Sequence, residues 1–297
     1  MPEQKSIPSP APQVSWVLAV FNGERFLRAA LDSILNQTFS DFECIVVDDG
    51  STDTSWELVS AFCARDQRIK CVRQQHLGLV KALNEGCCTA GGQYIARLDA
   101  DDVAKPSRLA VQVAFMENNP NLALSGGHTE CIDSSNNIKF VMKWPGYSEG
   151  LADLQLLDCH IAHTTVMFRR DLFLNLGGYR AEYLHAEDYD LFLRLNDQFL
   201  IDNIPVVLSQ YRLHEAQVST RHATQQVLSG IGARLAARAR RAGRLEPKWA
   251  NGVVSRSDLL SLGVSSSRLD LIVQEYNSNT DYATGWRWRN KRFCQVV

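Results

Sequence analysis

No run of about 18 apolar residues, the length needed to span a bilayer, occurs anywhere in the 297 residues. Residues 1–13 are rich in Pro, Ser and Gln and have no apolar centre. They read as a disordered N-terminal segment, not a secretory signal, and we expect a cytoplasmic protein. No Cys-x-x-Cys pair exists among the eight cysteines, and their spacing never repeats. A zinc site or redox dithiol is therefore not expected, and free thiols in a reducing compartment fit. Phosphate-binding glycine signatures are also missing. There is no Gly-x-x-x-x-Gly-Lys-[Ser/Thr], no Gly-x-Gly-x-x-Gly after the first strand and no Gly-x-Ser-x-Gly, which sets aside P-loop kinases, standard dinucleotide dehydrogenases and α/β-hydrolases.

What is present is an ordinary globular composition, 45% apolar, with length for one large α/β domain and an appendage. Charge is unevenly placed. Residues 221–297 carry 13 Lys/Arg against 5 Asp/Glu, whereas residues 1–220 carry 18 against 28. The acidic body suits cation binding, and the basic tail suits either an anionic surface or simple solvation of a helical appendage. Arg234, Arg238 and Arg241 share one helical face, and Trp286–Phe293 interleaves aromatics with cations, as at a lipid headgroup interface. Nucleic-acid binding is not expected, since the acidic body opposes it.

Periodicity supplies the architecture. Val14–Phe21, Phe42–Val47, Ile69–Arg73 and Tyr94–Leu98 read as buried strands. Between them, helical spacing runs over Phe26–Leu35, Trp56–Phe62 and Leu79–Cys88. This alternation predicts a parallel sheet with right-handed crossovers, binding ligands at the carboxyl ends of its strands. Further on we expect a helix from Pro106 to Asn118, strands at Leu122–Gly126, Thr164–Phe168 and Val206–Leu213, and an irregular stretch with an edge hairpin over 128–147. Helices are expected at Leu151–Leu157 and Asp188–Leu195, and a capping box at Ser267-x-x-Asp270.

Two acidic clusters end strands. Asp99, Asp101 and Asp102 repel one another and cost stability unless a cation or hydrogen bonds compensate; oxygen ligands so spaced converge on a hard divalent ion. The bland alternative is a solvated loop capping the helix after Pro106. Asp48 and Asp49 follow the second strand, where a carboxylate can meet a base or ribose, although Asp-Gly-Ser-Thr-Asp is also a turn and N-cap string. Glu187-Asp188 stands at a helix start, where a carboxylate is commonly only a cap; Asp188 is the candidate general base. His214, ending the last strand, is either a further metal or diphosphate contact or a satisfied polar group.

Four strings then occur in order: Val17–Asn22, Ser33–Phe39, Val46–Asp53 and Ile95–Asp102. Together they resemble family 2 glycosyltransferases with the GT-A fold, over about residues 14–215. The resemblance implies a 14–220 domain with a nucleotide-sugar-binding half (14–105) and an acceptor half (106–220), followed by a helical extension (221–297). It implies Phe21 against the nucleobase, where the family often has Tyr, with Asn22 beside it and Asp49 on the base, presumed uracil. Asp99 falls near the ribose, and Asp101 with Asp102 on Mn²⁺ or Mg²⁺. Arg97 and Lys81 join the donor site, with Gly78 and Asn84 weaker matches. Asp188 is implied as catalytic base with Glu187 beside it, and Arg212 and His214 reach the diphosphate or metal. The implied reaction is inverting transfer from a nucleotide-sugar, expected to be a UDP-sugar, to a glycan or lipid-linked acceptor at the inner membrane face. Two alternatives stay open. A sugar nucleotidyltransferase would carry a Gly-rich basic loop after the first strand, where this chain has Phe21–Arg25. A degenerate binding subunit would lack donor hydrolysis.

Overall fold

The computed structural model describes residues 11–146, 150–215, 217 and 221–278; Trp286–Phe293 lies outside them. Strands β1 (Val14–Val20), β2 (Phe42–Asp48), β3 (Ile69–Arg73) and β4 (Tyr94–Arg97) alternate with α1 (Leu27–Leu35), α2 (Ser55–Arg65) and α3 (Leu79–Thr89). The first two strands are apolar nearly throughout and buried on both faces, as a central parallel strand must be. Helix α1 buries Leu27, Ala30, Leu31 and Ile34, one stripe at helical spacing. All pairings within this half are parallel, in the order β3-β2-β1-β4. The strand order reverses between β1 and β4, which places the ligand crevice outside their carboxyl ends.

The second half adds strands of both orientations. They are β5 (Val103–Ala104), β6 (Leu122–Ile132), β7 (Ile138–Met142), β8 (Met167–Arg169) and β9 (Leu200–Arg212), with α4 (Arg108–Asn118), α5 (Leu151–Leu154), α6 (Arg170–Asn175) and α7 (Glu187–Asn196). Together they complete a nine-stranded sheet, with β8 antiparallel to β4 and β6, β6 parallel to β9, and β7 on β6. The α/β architecture and the 128–147 hairpin follow the sequence; several boundaries do not. β6 runs through Gly126-Gly127 instead of stopping there. A Cβ on Gly126 would sit 2.4 Å from Asn203 Oδ1, and one on Gly127 2.5 Å from Leu208 Cδ1. These glycines therefore mark close approach inside the sheet, not a strand end. β9 likewise starts at Leu200, because its pairing with β6 jumps across Pro205, a bulge where a residue without N–H is tolerated. The expected strand Thr164–Phe168 is a 3₁₀ turn over His163–Thr165 followed by β8.

The extension folds back as α8 (Ala223–Arg241), α9 (Arg256–Ser261) and α10 (Ser266–Ser278). α8 buries Val227, Ile231, Ala233 and Ala236 in a cluster with Tyr183, Tyr189 and Leu193 of the body and Leu269 and Ile272 of α10. Of Arg234, Arg238 and Arg241, which share one face of α8, Arg234 is buried, with Nη1 donating to Leu157 O at 2.5 Å, and Arg241 is exposed. Part of the extension's charge is met by the body: Asp197 accepts from Nε of both Arg240 and Arg241 at 2.7 Å, and Glu246 of the extension bridges Arg180 of the body and Arg240. The capping box is also relocated. Ser255 and Asp258 form it ahead of α9, whereas before α10 it is Ser265 whose Oγ accepts from Arg268 N.

Candidate functional site

Three strand ends meet at the crevice. After β1, Asn22 adopts the left-handed conformation (φ 52°), which Asn tolerates better than most residues. Its Oδ1 accepts from Thr52 N and Oγ1, so Asn22 ties the loop after β1 to the loop after β2. Asp49, after β2, is buried and accepts from Gln74 Nε2 (2.6 Å) and from the main-chain N–H groups of Leu77 and Gly78 (both 2.9 Å). His76 Nδ1 lies 2.8 Å from the same carboxylate. The ring of His76 stacks on Phe21 with centroids 3.9 Å apart. An exposed aromatic face and a carboxylate fixed by the 74–78 loop thus stand side by side. Lys81, in the first turn of α3, is exposed. Asn84 takes no part in the crevice: its side chain exchanges two hydrogen bonds with the main chain of Tyr179.

After β4, Asp99, Asp101 and Asp102 place carboxylate oxygens within 4.8 Å of one another. The reason is topological. β5 follows this loop and pairs with β9, Val103 opposite Gln210, which brings Arg212 and His214 alongside. His214 Nε2 lies 2.8 Å from Asp101 Oδ2. Asp102 Oδ1 accepts from Arg212 N at 2.8 Å. Burial, then the charges of Asp101 and Asp99, raise the Asp102 carboxyl well above its ordinary range. Asp99 is raised too, by burial first, although Arg97 opposes this. Three carboxylates this close, two of them, Asp99 and Asp102, with raised affinities for protons, fit a hard divalent cation.

Arg212 faces inward. Its Nε donates to Asp101 O and Nη1 to Asn136 Oδ1, both at 2.7 Å, and Nη1 to Asp133 O at 3.2 Å. It clamps the acidic loop and does not project toward a ligand. Arg212→Ala strips three acceptors of their donor and is expected to lower the unfolding free energy by about 3 kcal/mol. A denaturation midpoint equal to that of the wild type would remove this role. Arg97 is also buried, pairing through Nη1 with Asp99 Oδ2. Its charge also lowers the proton affinities of Glu187 and Asp188, so one buried cation links the acidic loop with the start of α7.

At that start, His185 holds a left-handed backbone (φ 67°) and Glu187 is buried. Asp188 keeps 22% of its side chain exposed. Its carboxyl is raised to about 6, chiefly by burial; Glu187 is raised to about 8 by burial and then by the Asp188 charge. A base poised near neutrality and open to the crevice is equipped to take a hydroxyl proton. Two neighbours gave no signal in the sequence beyond a histidine ahead of a strand. His163 Nδ1 lies 3.8 Å from Asp188 Oδ2, and its Nε2 lies 2.9 Å from Tyr179 OH. Burial pushes the proton affinity of this imidazole well down, and the tautomer in which Tyr179 OH donates to Nε2 places the ring proton on Nδ1, facing Asp188.

The comparisons agree with this geometry. The family model "Glycosyl transferase family 2" matches residues 15–177. The O-antigen biosynthesis glycosyltransferase WbnJ of Escherichia coli is 32% identical over 207 residues, 68% of this chain and 80% of WbnJ. The E. coli glucosyltransferase WfgD is 30% identical over 210 residues, 70% of this chain and 79% of WfgD. Among solved structures, Staphylococcus aureus TarS 1–349 with UDP-GlcNAc superposes with TM-score 0.59 at 18% identity, covering 90% of this chain and 79% of that one. The mannosyltransferase PcManGT of Pyrobaculum calidifontis gives 0.61 at 17% identity, covering 95% and 84%. The fold is GT-A, and the chain belongs to glycosyl transferase family 2 as a glycosyltransferase.

Proposed function

We propose that this glycosyltransferase moves a sugar, with inversion, from a UDP-sugar to a hydroxyl of a glycan or lipid-linked glycan in cell-surface polysaccharide synthesis. The observation that carries the reading is the pairing of a three-carboxylate cluster with a partly exposed carboxyl at about 6, joined by buried Arg97. Phe21 and Asp49 receive the base, Asp99 the ribose, and Asp101 and Asp102, with His214 against Asp101, hold Mn²⁺ or Mg²⁺. A divalent ion held there offsets the charge that develops on the leaving diphosphate. Asp188 accepts the proton of the acceptor hydroxyl as that oxygen bonds to the anomeric carbon. The anomeric C–O bond to the diphosphate breaks, and its electron pair leaves with the nucleotide.

The relatives support the substrate class. WfgD is named for transfer from UDP-Glc to a GlcNAc-diphosphoundecaprenol, WbnJ for O-antigen synthesis, and TarS was crystallised with UDP-GlcNAc. PcManGT was solved with GDP-Man and Mn²⁺, so the nucleotide needs testing. Nucleotide release from UDP-, GDP- and dTDP-sugars, with Mn²⁺ and with EDTA, does so. Metal-dependent release from UDP-sugars is expected; absence of both release and nucleotide binding would sink the reading. The paired cations of α8 add no support to a peripheral membrane contact through 221–297.

A further inference from the structure

Beside Asp188 lies a cavity of about 180 Å³, walled by Trp144, by Asp158, Cys159 and Ile161, by the start of α7, and by α8 and α10 of the extension. Asp188 itself lines it, with Trp144, Tyr189, Gln226, Gly230 and Tyr276. The α8 and α10 residues lie beyond the span matched by the family model. We propose that this cavity is the acceptor subsite, that it takes a single pyranose ring at the end of a saccharide, and that the C-terminal extension sets which ring is accepted.

Size is the first argument. A cavity of roughly 150 Å³ admits benzene, so about 180 Å³ suits one six-membered ring and not a lipid chain. Chemistry is the second. Three aromatic side chains offer faces to the apolar side of a sugar ring, and polar groups at the same wall meet its hydroxyls. An apolar occupant would leave those polar groups desolvated. Shape is the third. The Tyr276 hydroxyl donates to Gln226 Oε1, fixing α10 on α8, and Tyr189 OH donates to Gln155 O at 2.6 Å, fixing the start of α7 on the segment after α5. Position is the fourth: the ring's hydroxyl enters on the side of Asp188, where the proton must go. This inference rests on the transferase reading above.

Gly230 makes the cavity testable. A Cβ there meets Tyr189 at no less than 3.8 Å, an ordinary contact, so Ala is tolerated and gains helix propensity. The larger Leu projects into the cavity. Saturation-transfer NMR with methyl glycosides of glucose, galactose, rhamnose and N-acetylglucosamine, in the presence of UDP and Mn²⁺, reads ring binding directly. At least one glycoside is expected to give a signal that persists in Gly230→Ala and falls at least tenfold in Gly230→Leu. Tyr276→Ala, which keeps the glycine and removes a stacking face, is expected to weaken the same signal severalfold should Gly230→Leu fold poorly. If UDP binds but no glycoside gives a signal, or if the signal survives in Gly230→Leu and in Tyr276→Ala, the subsite assignment is wrong. If UDP does not bind either, the donor reading itself fails, and this inference fails with it.

Discussion

Asn in place of Asp188 is expected to lower kcat by about 10²–10⁴-fold, the usual worth of a positioned general base, while KM for the donor changes little. The substitution keeps shape and removes only the proton acceptor. Asp188 lies at the α7 start and not on the Phe21 and Asp49 loops proposed for the nucleotide, so the loss should belong to the chemical step. The same assignment fixes a pH dependence. The carboxyl titrates at about 6, and transfer needs it ionised, so log kcat should climb by one per pH unit below about 6 and level off above. Asp188→Asn should flatten that limb. Stability runs the opposite way. A carboxyl raised in the folded state contributes stability that is full below its unfolded value and is lost as pH rises through the folded one. For Glu187 that window runs from about 4.5 to about 8. Steady-state rates between pH 5 and 8 check the assignment; a variant retaining a tenth of wild-type kcat would exclude Asp188 as the base.

The parallel half of the molecule was legible because its signals are local. β1 and β2 are near-continuous apolar runs, and each ends in a turn string that breaks the pattern. That made Phe21, Asp49 and the Asp99–Asp102 loop readable as strand-end residues before any geometry was known. The second half was less legible because its strand limits depend on partners distant in sequence. Gly126-Gly127 resembles a strand end until β9 is seen against it, and Val206 reads as a strand start until the β6 pairing carries across Pro205 to Leu200. The same holds within the site. Arg212 was expected to touch a ligand, but pairing of β5 with β9 turns it onto the acidic loop's Asp101 carbonyl and the 133–136 turn. Asn84 is likewise drawn to Tyr179. His163 and Tyr179 reach Asp188 only because β8 inserts between β4 and β6. No local pattern encodes that insertion. The extension's basic surplus left open an anionic surface or simple solvation; that Arg240 and Arg241 would pair with Asp197 and Arg234 with Leu157 O depends on contacts across the chain that no local pattern encodes.

Asp101→Asn is expected to abolish metal-dependent transfer and, without metal, to leave the protein at least as stable as the wild type. The two effects share one cause. Asp101's charge raises the proton affinities of both Asp99 and Asp102, so the cluster when ionised carries mutual repulsion that a divalent cation offsets. Asn keeps a polar partner for His214, 2.8 Å from Asp101 Oδ2, and relieves two repulsions at the loss of one carboxylate–imidazole contact. For catalysis the change removes a ligand whose cation supplies several kcal/mol of charge stabilisation at the leaving diphosphate. A loss of at least 10²–10³-fold follows at about 1.4 kcal/mol per decade. For stability, a ligand at 100 times its Kd raises the folding free energy by about 2.7 kcal/mol. Wild type should therefore melt higher with excess Mn²⁺ than with EDTA, and Asp101→Asn should melt at nearly one temperature in both. A metal-induced shift that persists in the variant would move the cation site off Asp101. A variant that melts well below the wild type in EDTA would show instead that the Asp101–His214 pair outweighs the repulsion, leaving the cluster's need for a cation smaller than its geometry implies.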